Sequence, residues 1–109
     1  MKTIEIDFTK LRSLDENIRK GFIGTFGITL KDLLQKMFGG DRVPFIVRGT
    51  PKEVRAFAKA LVKEKDYYRF YKQYGLNDPR TYRSKWALKA AIREFERKTG
   101  VKWPLQFRR

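Results

Sequence analysis

The chain reads as an α+β domain, a small three-stranded sheet with helices packed on it in the order β-α-α-β-α-α-α-β. Three observations predict this. Thr3 to Phe8 alternates, with Ile4, Ile6 and Phe8 opposed to Thr3, Glu5 and Asp7, the period of a half-buried strand. Phe45-Ile46-Val47 is continuously apolar, the signature of a strand covered on both sides, which places it centrally. Around these lie segments with helix caps and apolar residues at three- and four-residue spacing. At 109 residues and 41% hydrophobic content, the length suits a single domain over 1–109 whose core needs no metal or disulfide.

After the first strand, Ser13-Leu14-Asp15-Glu16 has capping-box spacing and predicts a helix of about two to three turns. Gly21, Gly24 and Gly27 weaken that helix by about 1 kcal/mol each relative to alanine. Thr29 to Asp32 then restarts a short helix that Gly39-Gly40 ends. Past the second strand, Thr50-Pro51-Lys52-Glu53 supplies an N-cap, a proline at the first helical position and a Glu that reaches back to the cap. This helix is expected to run to about Lys63 and to bury Val54, Phe57, Ala58 and Leu61. A tyrosine-rich helix follows from Asp66 to Tyr74, closed by Gly75 with Leu76 as the hydrophobic contact of a left-handed cap. Asp78-Pro79 opens the last helix and Gly100 closes it. Val101, Trp103, Leu105 and Phe107 alternate with Lys102, Pro104, Gln106 and Arg108, predicting a third strand that Pro104 confines to an edge.

Charge is unevenly distributed. The net charge is +14, and of 26 Lys and Arg, seventeen lie in residues 51–109 against six Asp and Glu. All five tyrosines and both tryptophans share that half. Cations interleaved with flat aromatic surfaces suit a polyanion with stackable bases, so nucleic acid is the expected partner. The absence of cysteine excludes a disulfide framework, a thiolate zinc site and a cysteine nucleophile, and suits a reducing cytosol. No apolar run reaches the roughly 18 residues of a membrane span, and the strand pattern at the N-terminus does not resemble a signal peptide.

Two helical arrays carry the functional reading. At about 100° per residue, Lys52, Arg55, Lys59 and Lys63 fall in one sector opposite the Val54–Phe57–Leu61 face. Such a row either tracks a phosphate backbone or forms the solvated face of an amphipathic helix. On the last helix Leu88, Ala91, Ile92 and Phe95 supply a core stripe, while Lys85, Lys89, Arg93 and Arg97 step by four along an adjacent face. Tyr82 and Trp86 project among these cations. They form either a stacking platform for unpaired bases or a second buried contact against the tyrosine helix. In the tyrosine helix, Tyr67, Phe70, Tyr71 and Tyr74 follow the spacing of a buried stripe, leaving Tyr68 the freest to meet a ligand.

Catalysis is hard to assemble from this inventory. The chain has no histidine, so histidine-activated nucleophiles and histidine metal sites are absent. Glu5 and Asp7 share a strand face and could hold a divalent ion, or protect a sheet edge. Glu94 and Glu96 diverge on their helix, and Asp66 and Asp78 read as caps. Gly21-Phe22-Ile23-Gly24-Thr25-Phe26-Gly27 lacks the strand and polar donors of a phosphate loop, and reads as close packing, a hinge or a segment for self-association or membrane contact.

The expected function is a non-catalytic, cytoplasmic module that binds DNA or RNA with little sequence preference. Lys52, Arg55, Lys59, Lys63, Lys85, Lys89 and Arg93 meet phosphates, Tyr82, Trp86 and Tyr68 stack, and no cofactor or metal takes part. The alternative is a small protein-interaction or structural component that docks an acidic protein surface or self-associates through Gly21–Phe38.

Overall fold

The computed structural model describes residues 4–9, 16–38 and 45–105, and within 16–38 the side chains of 25–37. Two four-residue strands, Ile4–Asp7 (β1) and Phe45–Arg48 (β2), pair in parallel with Ile4 opposite Phe45 and Asp7 opposite Arg48. Parallel neighbours need a long crossover, and the helix Glu16–Phe38 (α1) provides it. Helices Pro51–Tyr74 (α2) and Pro79–Thr99 (α3) follow, joined by the short turn 75–78 and packed on one another.

The sheet therefore has two strands among the described residues, and the three-stranded arrangement is overturned. Residues 101–105 form neither helix nor strand, with a bend at Pro104. Their alternation is real: Val101 and Trp103 are buried and Lys102 is exposed. The chain buries them against helices instead. Its backbone donors find side-chain acceptors, Val101 N–H on the Thr99 hydroxyl at 3.1 Å and Trp103 N–H on the Glu96 carboxylate at 2.9 Å. Gln106 to Arg108, the end of the expected strand, lie outside the described residues. β2 is not central either, since Phe45 and Ile46 are exposed.

Helix boundaries also differ. α1 is continuous through its glycines, with no restart at Thr29. At Gly27 an added Cβ would stand 3.3 Å from Pro104 Cβ, so the missing side chain admits the C-terminal segment. The Ser13 cap and the Gly39-Gly40 stop lie outside the described residues. α2 runs unbroken across Lys63–Asp66, because Glu64 and Lys65 are good helix formers and nothing there interrupts the ladder. Asp66 is thus not a cap. It pairs with Arg69 at 3.4 Å.

The Thr50 capping box forms as expected. Thr50 Oγ1 accepts from Glu53 N–H at 3.2 Å, and the Glu53 carboxylate accepts from Thr50 N–H at 2.8 Å. Gly49 makes room for it: a Cβ there would sit 3.0 Å from Glu53 Oε1 and 3.3 Å from Phe8 Cβ. Asp78 caps α3, and Gly100 closes it in the left-handed region at φ 72°. Gly75 also has positive φ, at 82°, but its ψ of 169° lies outside the left-handed helical region, and Leu76 is exposed instead of packing back.

One ring from each part of the chain meets at the centre. Phe8 follows β1, Phe26 lies on α1, Phe57 on α2, Phe95 on α3 and Trp103 on the C-terminal segment, all at most 3% exposed. Neighbouring centroids lie between 5.1 and 6.3 Å apart, within the range of favourable edge and offset contacts. Ala56, Ala60 and Leu61 extend this core along α2. The expected burial of Val54 and Ala58 is corrected: Val54 is half-buried and Ala58 exposed, because the inner face is centred nearer Ala60. Of the tyrosine stripe, Tyr67 is buried, Phe70 and Tyr74 are half-buried and Tyr71 is exposed, since α2 outruns the core at its C-terminal end. Among the described residues, no helix is long and apolar enough to cross a membrane.

Candidate functional site

The surface charge of α2 and α3 is set as much by where the acids point as by where the cations stand. Each helix carries seven Lys and Arg. Four of the six acids after residue 50 serve the fold. Glu53 caps α2, Glu64 accepts the Trp103 indole N–H, Asp78 caps α3 and Glu96 accepts the Trp103 backbone N–H. The other two, Asp66 and Glu94, line surface clefts between the helices.

Lys52, Arg55 and Lys59 are exposed and Lys63 is half-buried, on the side of α2 that borders α3. Two clefts mark that border. One, of ≈ 290 Å³, is lined by Lys52, Arg55, Ala56 and Lys59 from α2 with Glu94 and Lys98 from α3. The other, of ≈ 340 Å³, joins Lys63, Asp66 and Phe70 to Arg80, Arg83, Ser84 and Ala87. The α2 row is therefore one wall of a groove whose opposite wall adds Arg80, Arg83 and Lys98. These three cations were not singled out from the sequence. The short turn between two amphipathic helices was the signal that could have found them, because it makes the helices antiparallel neighbours. The same neighbour brings in Glu94, an acid that a single-helix projection of α2 does not see.

Tyr82 and Trp86 lie on the outer face of α3, 53% and 47% exposed, so neither is core. Their centroids are 6.0 Å apart with planes at 72°, an edge contact that leaves no slot for a base between them. Lys85 Nζ sits 5.9 Å from the Tyr82 centroid and Lys89 Nζ 4.9 Å from that of Trp86, both within cation–π reach. Arg93 is exposed beyond them. Tyr68 is half-buried on α2 with Lys72 Nζ 5.0 Å from its ring, and it lines neither groove cleft. The structure thus groups Tyr82, Lys85, Trp86, Lys89 and Arg93 on one face, sets the α2 row in a separate groove, and leaves Tyr68 outside both.

At the turn, Arg80 is held firmly. Its guanidinium makes two 3.0 Å contacts to the Asp78 carboxylate and stacks 3.4 Å from the Tyr74 centroid. The hydrogen bonds from the Arg80 side chain, then from its backbone N–H, hold the Asp78 carboxyl below its ordinary 3.8, and Asp78 in turn raises Arg80.

The Glu5–Asp7 pair is occupied differently. Glu5 accepts from Arg48 on the paired strand at 3.1 Å, and Asp7 accepts from Thr9 N–H at 2.9 Å and from its hydroxyl. Among the described residues no three His, Cys, Asp or Glu side chains gather in a group that could hold a metal ion. In the Gly21–Phe38 segment Phe26, Leu30, Leu33 and Leu34 face the core, while Ile28 is exposed. No protein-family model, curated protein or solved structure matches the chain.

Proposed function

We propose that this protein is a nucleic-acid-binding module that acts without covalent chemistry and with little sequence preference. The observation that carries the reading is the division of labour among side chains on α2 and α3. Most acids turn to N–H donors of the fold, while most of the cations and the Tyr82–Trp86 pair are exposed. A surface made this way attracts phosphates over its whole extent and offers π-faces to unpaired bases. Cation rows stepping by four residues rise about 6 Å per step, which suits contacts spread along a backbone more than a single compact anion. Nothing in these arrays reads base edges, so affinity should vary little with sequence.

The test is a binding titration against single-stranded and duplex oligonucleotides over a range of salt. About five neutralised phosphates give a log–log slope near −4.5 on duplex and near −3.5 on single strands. A flat response from low to physiological salt overturns the reading, and selective capture of an acidic protein that nucleic acid does not displace replaces it.

A further inference from the structure

We propose that the α2–α3 hairpin carries two separate binding faces and holds two nucleic-acid segments at once, so that the protein bridges strands. This rests on the nucleic-acid reading above and goes beyond it, because one binding face would satisfy that reading.

The observation is angular. The residues of α3 that line the two groove clefts, Arg80, Arg83, Ser84, Ala87, Glu94 and Lys98, fall in one sector of the helix. Tyr82, Lys85, Trp86, Lys89 and Arg93 line neither cleft. At 100° per residue the centres of the two sectors lie about 160° apart on a helix roughly 10–12 Å across. A segment lying in the groove against Lys52 and Lys59 therefore leaves the aromatic face open, and the reverse also holds.

The faces also differ in chemistry. The groove offers cations from two helices with only Asp66 and Glu94 among its lining acids, and its one ring, Phe70, carries Arg69 5.5 Å from its centroid. It suits a phosphate backbone, whatever its bases are doing. The outer face pairs cations with two half-exposed rings and requires unpaired bases. Each face runs about 17 Å along its helix, from Lys52 to Lys63 and from Tyr82 to Arg93, so a short oligonucleotide fills one without reaching the other.

The experiment uses the full chain and two non-complementary oligothymidylates of about four nucleotides, short enough for one face of about 17 Å and within the usual single-strand site size. One carries a donor dye and the other an acceptor. Bridging gives two oligonucleotides per chain. Energy transfer rises as protein is added and falls again once protein exceeds half the oligonucleotide, when each chain no longer holds two. Sedimentation of the same mixtures should show one chain per complex. Lys52→Gln with Lys59→Gln, and separately Tyr82→Ala with Trp86→Ala, should each leave one oligonucleotide bound and abolish transfer.

One oligonucleotide per wild-type chain, weakened by both variant pairs, would mean a single strand wrapped around α3 and overturns bridging while the binding reading stands. Transfer arising only from complexes of two chains overturns it equally. Failure of the wild type to bind either oligonucleotide removes the nucleic-acid reading itself, and bridging with it.

Discussion

Trp103 donates its indole N–H to the carboxylate of Glu64 at 2.8 Å, across 39 residues of sequence, with both side chains 1% exposed. The bond fastens the C-terminal segment to the middle of α2, where the sequence pattern suggested a helix break. Trp103→Ala should cost about 3–5 kcal/mol, as loss of a large buried ring does. Trp103→Phe keeps most of the ring volume but removes the donor to a buried carboxylate, and should cost about 1–3 kcal/mol. Urea denaturation of Trp103→Phe, Glu64→Gln and the double variant gives the coupling between the two. A coupling energy near zero would mean the bond contributes nothing beyond packing.

At the start of α2, Thr50→Ala removes one half of the reciprocal cap and should cost about 1 kcal/mol. Gly49→Ala should be destabilising as well, because the new methyl would press on Glu53 Oε1 and on Phe8. Combined, the two substitutions should cost less than their sum, since either one disturbs the same Glu53 side chain. Thermal unfolding of the three variants checks this.

The Asp78–Arg80 pair predicts an acid-range effect. The Asp78 carboxyl is held below its ordinary 3.8 in the folded protein, so the unfolded chain takes up the proton first as pH falls. The stabilisation is complete above about 3.8 and disappears as pH drops through the lower, native value. Asp78→Asn should therefore be less stable than wild type at neutral pH, with the gap closing in strong acid. Denaturation midpoints of both proteins along a pH series read this directly, and a gap independent of pH contradicts it.

For the outer face of α3, Tyr82→Ala with Trp86→Ala should weaken single-strand binding by about 2–4 kcal/mol. Stability should change by only about 0.5 kcal/mol, because neither ring is buried. Trp103 serves as an internal control. Base stacking should quench Trp86 fluorescence, and Trp86→Phe should abolish the quench while the buried indole continues to emit. A large stability loss in the double variant would place the rings in the fold instead.

Much of the local structure was legible because it depends on neighbours in sequence. The Thr50–Glu53 box, the Asp78 cap, the Gly100 stop and the core stripe at Leu88, Ala91 and Phe95 all follow from spacing over a few residues. Much of what failed depended on distant partners. The alternation of Val101 and Trp103 is the same whether the partner is a strand or a helix, and only Glu64 and Glu96, elsewhere in the chain, decide it. Gly27 reads as a helix breaker until Pro104 occupies the space its missing side chain leaves. Large aromatic side chains such as Tyr82 and Trp86 are more often core than surface, and the packing of α3 against α2 and the ring cluster nevertheless leaves both exposed. The cation rows were readable singly, but not that one of them faces a second helix.

A ribosome making this chain presents Phe8 first and Trp103 last. At about 5–20 residues per second, on the order of ten seconds separate the two. Throughout that interval the phenylalanines of the central cluster lack the indole that closes against them. The parallel pairing of β1 with β2 must meanwhile wait for α1 to complete its crossover, whereas α2 and α3 can associate through a short turn. The hairpin with the cationic faces is itself complete only at Thr99, four residues before the indole arrives. A nascent chain stalled short of Trp103 should be a strong client for factors that shield exposed aromatic side chains, and release past that residue should end the association.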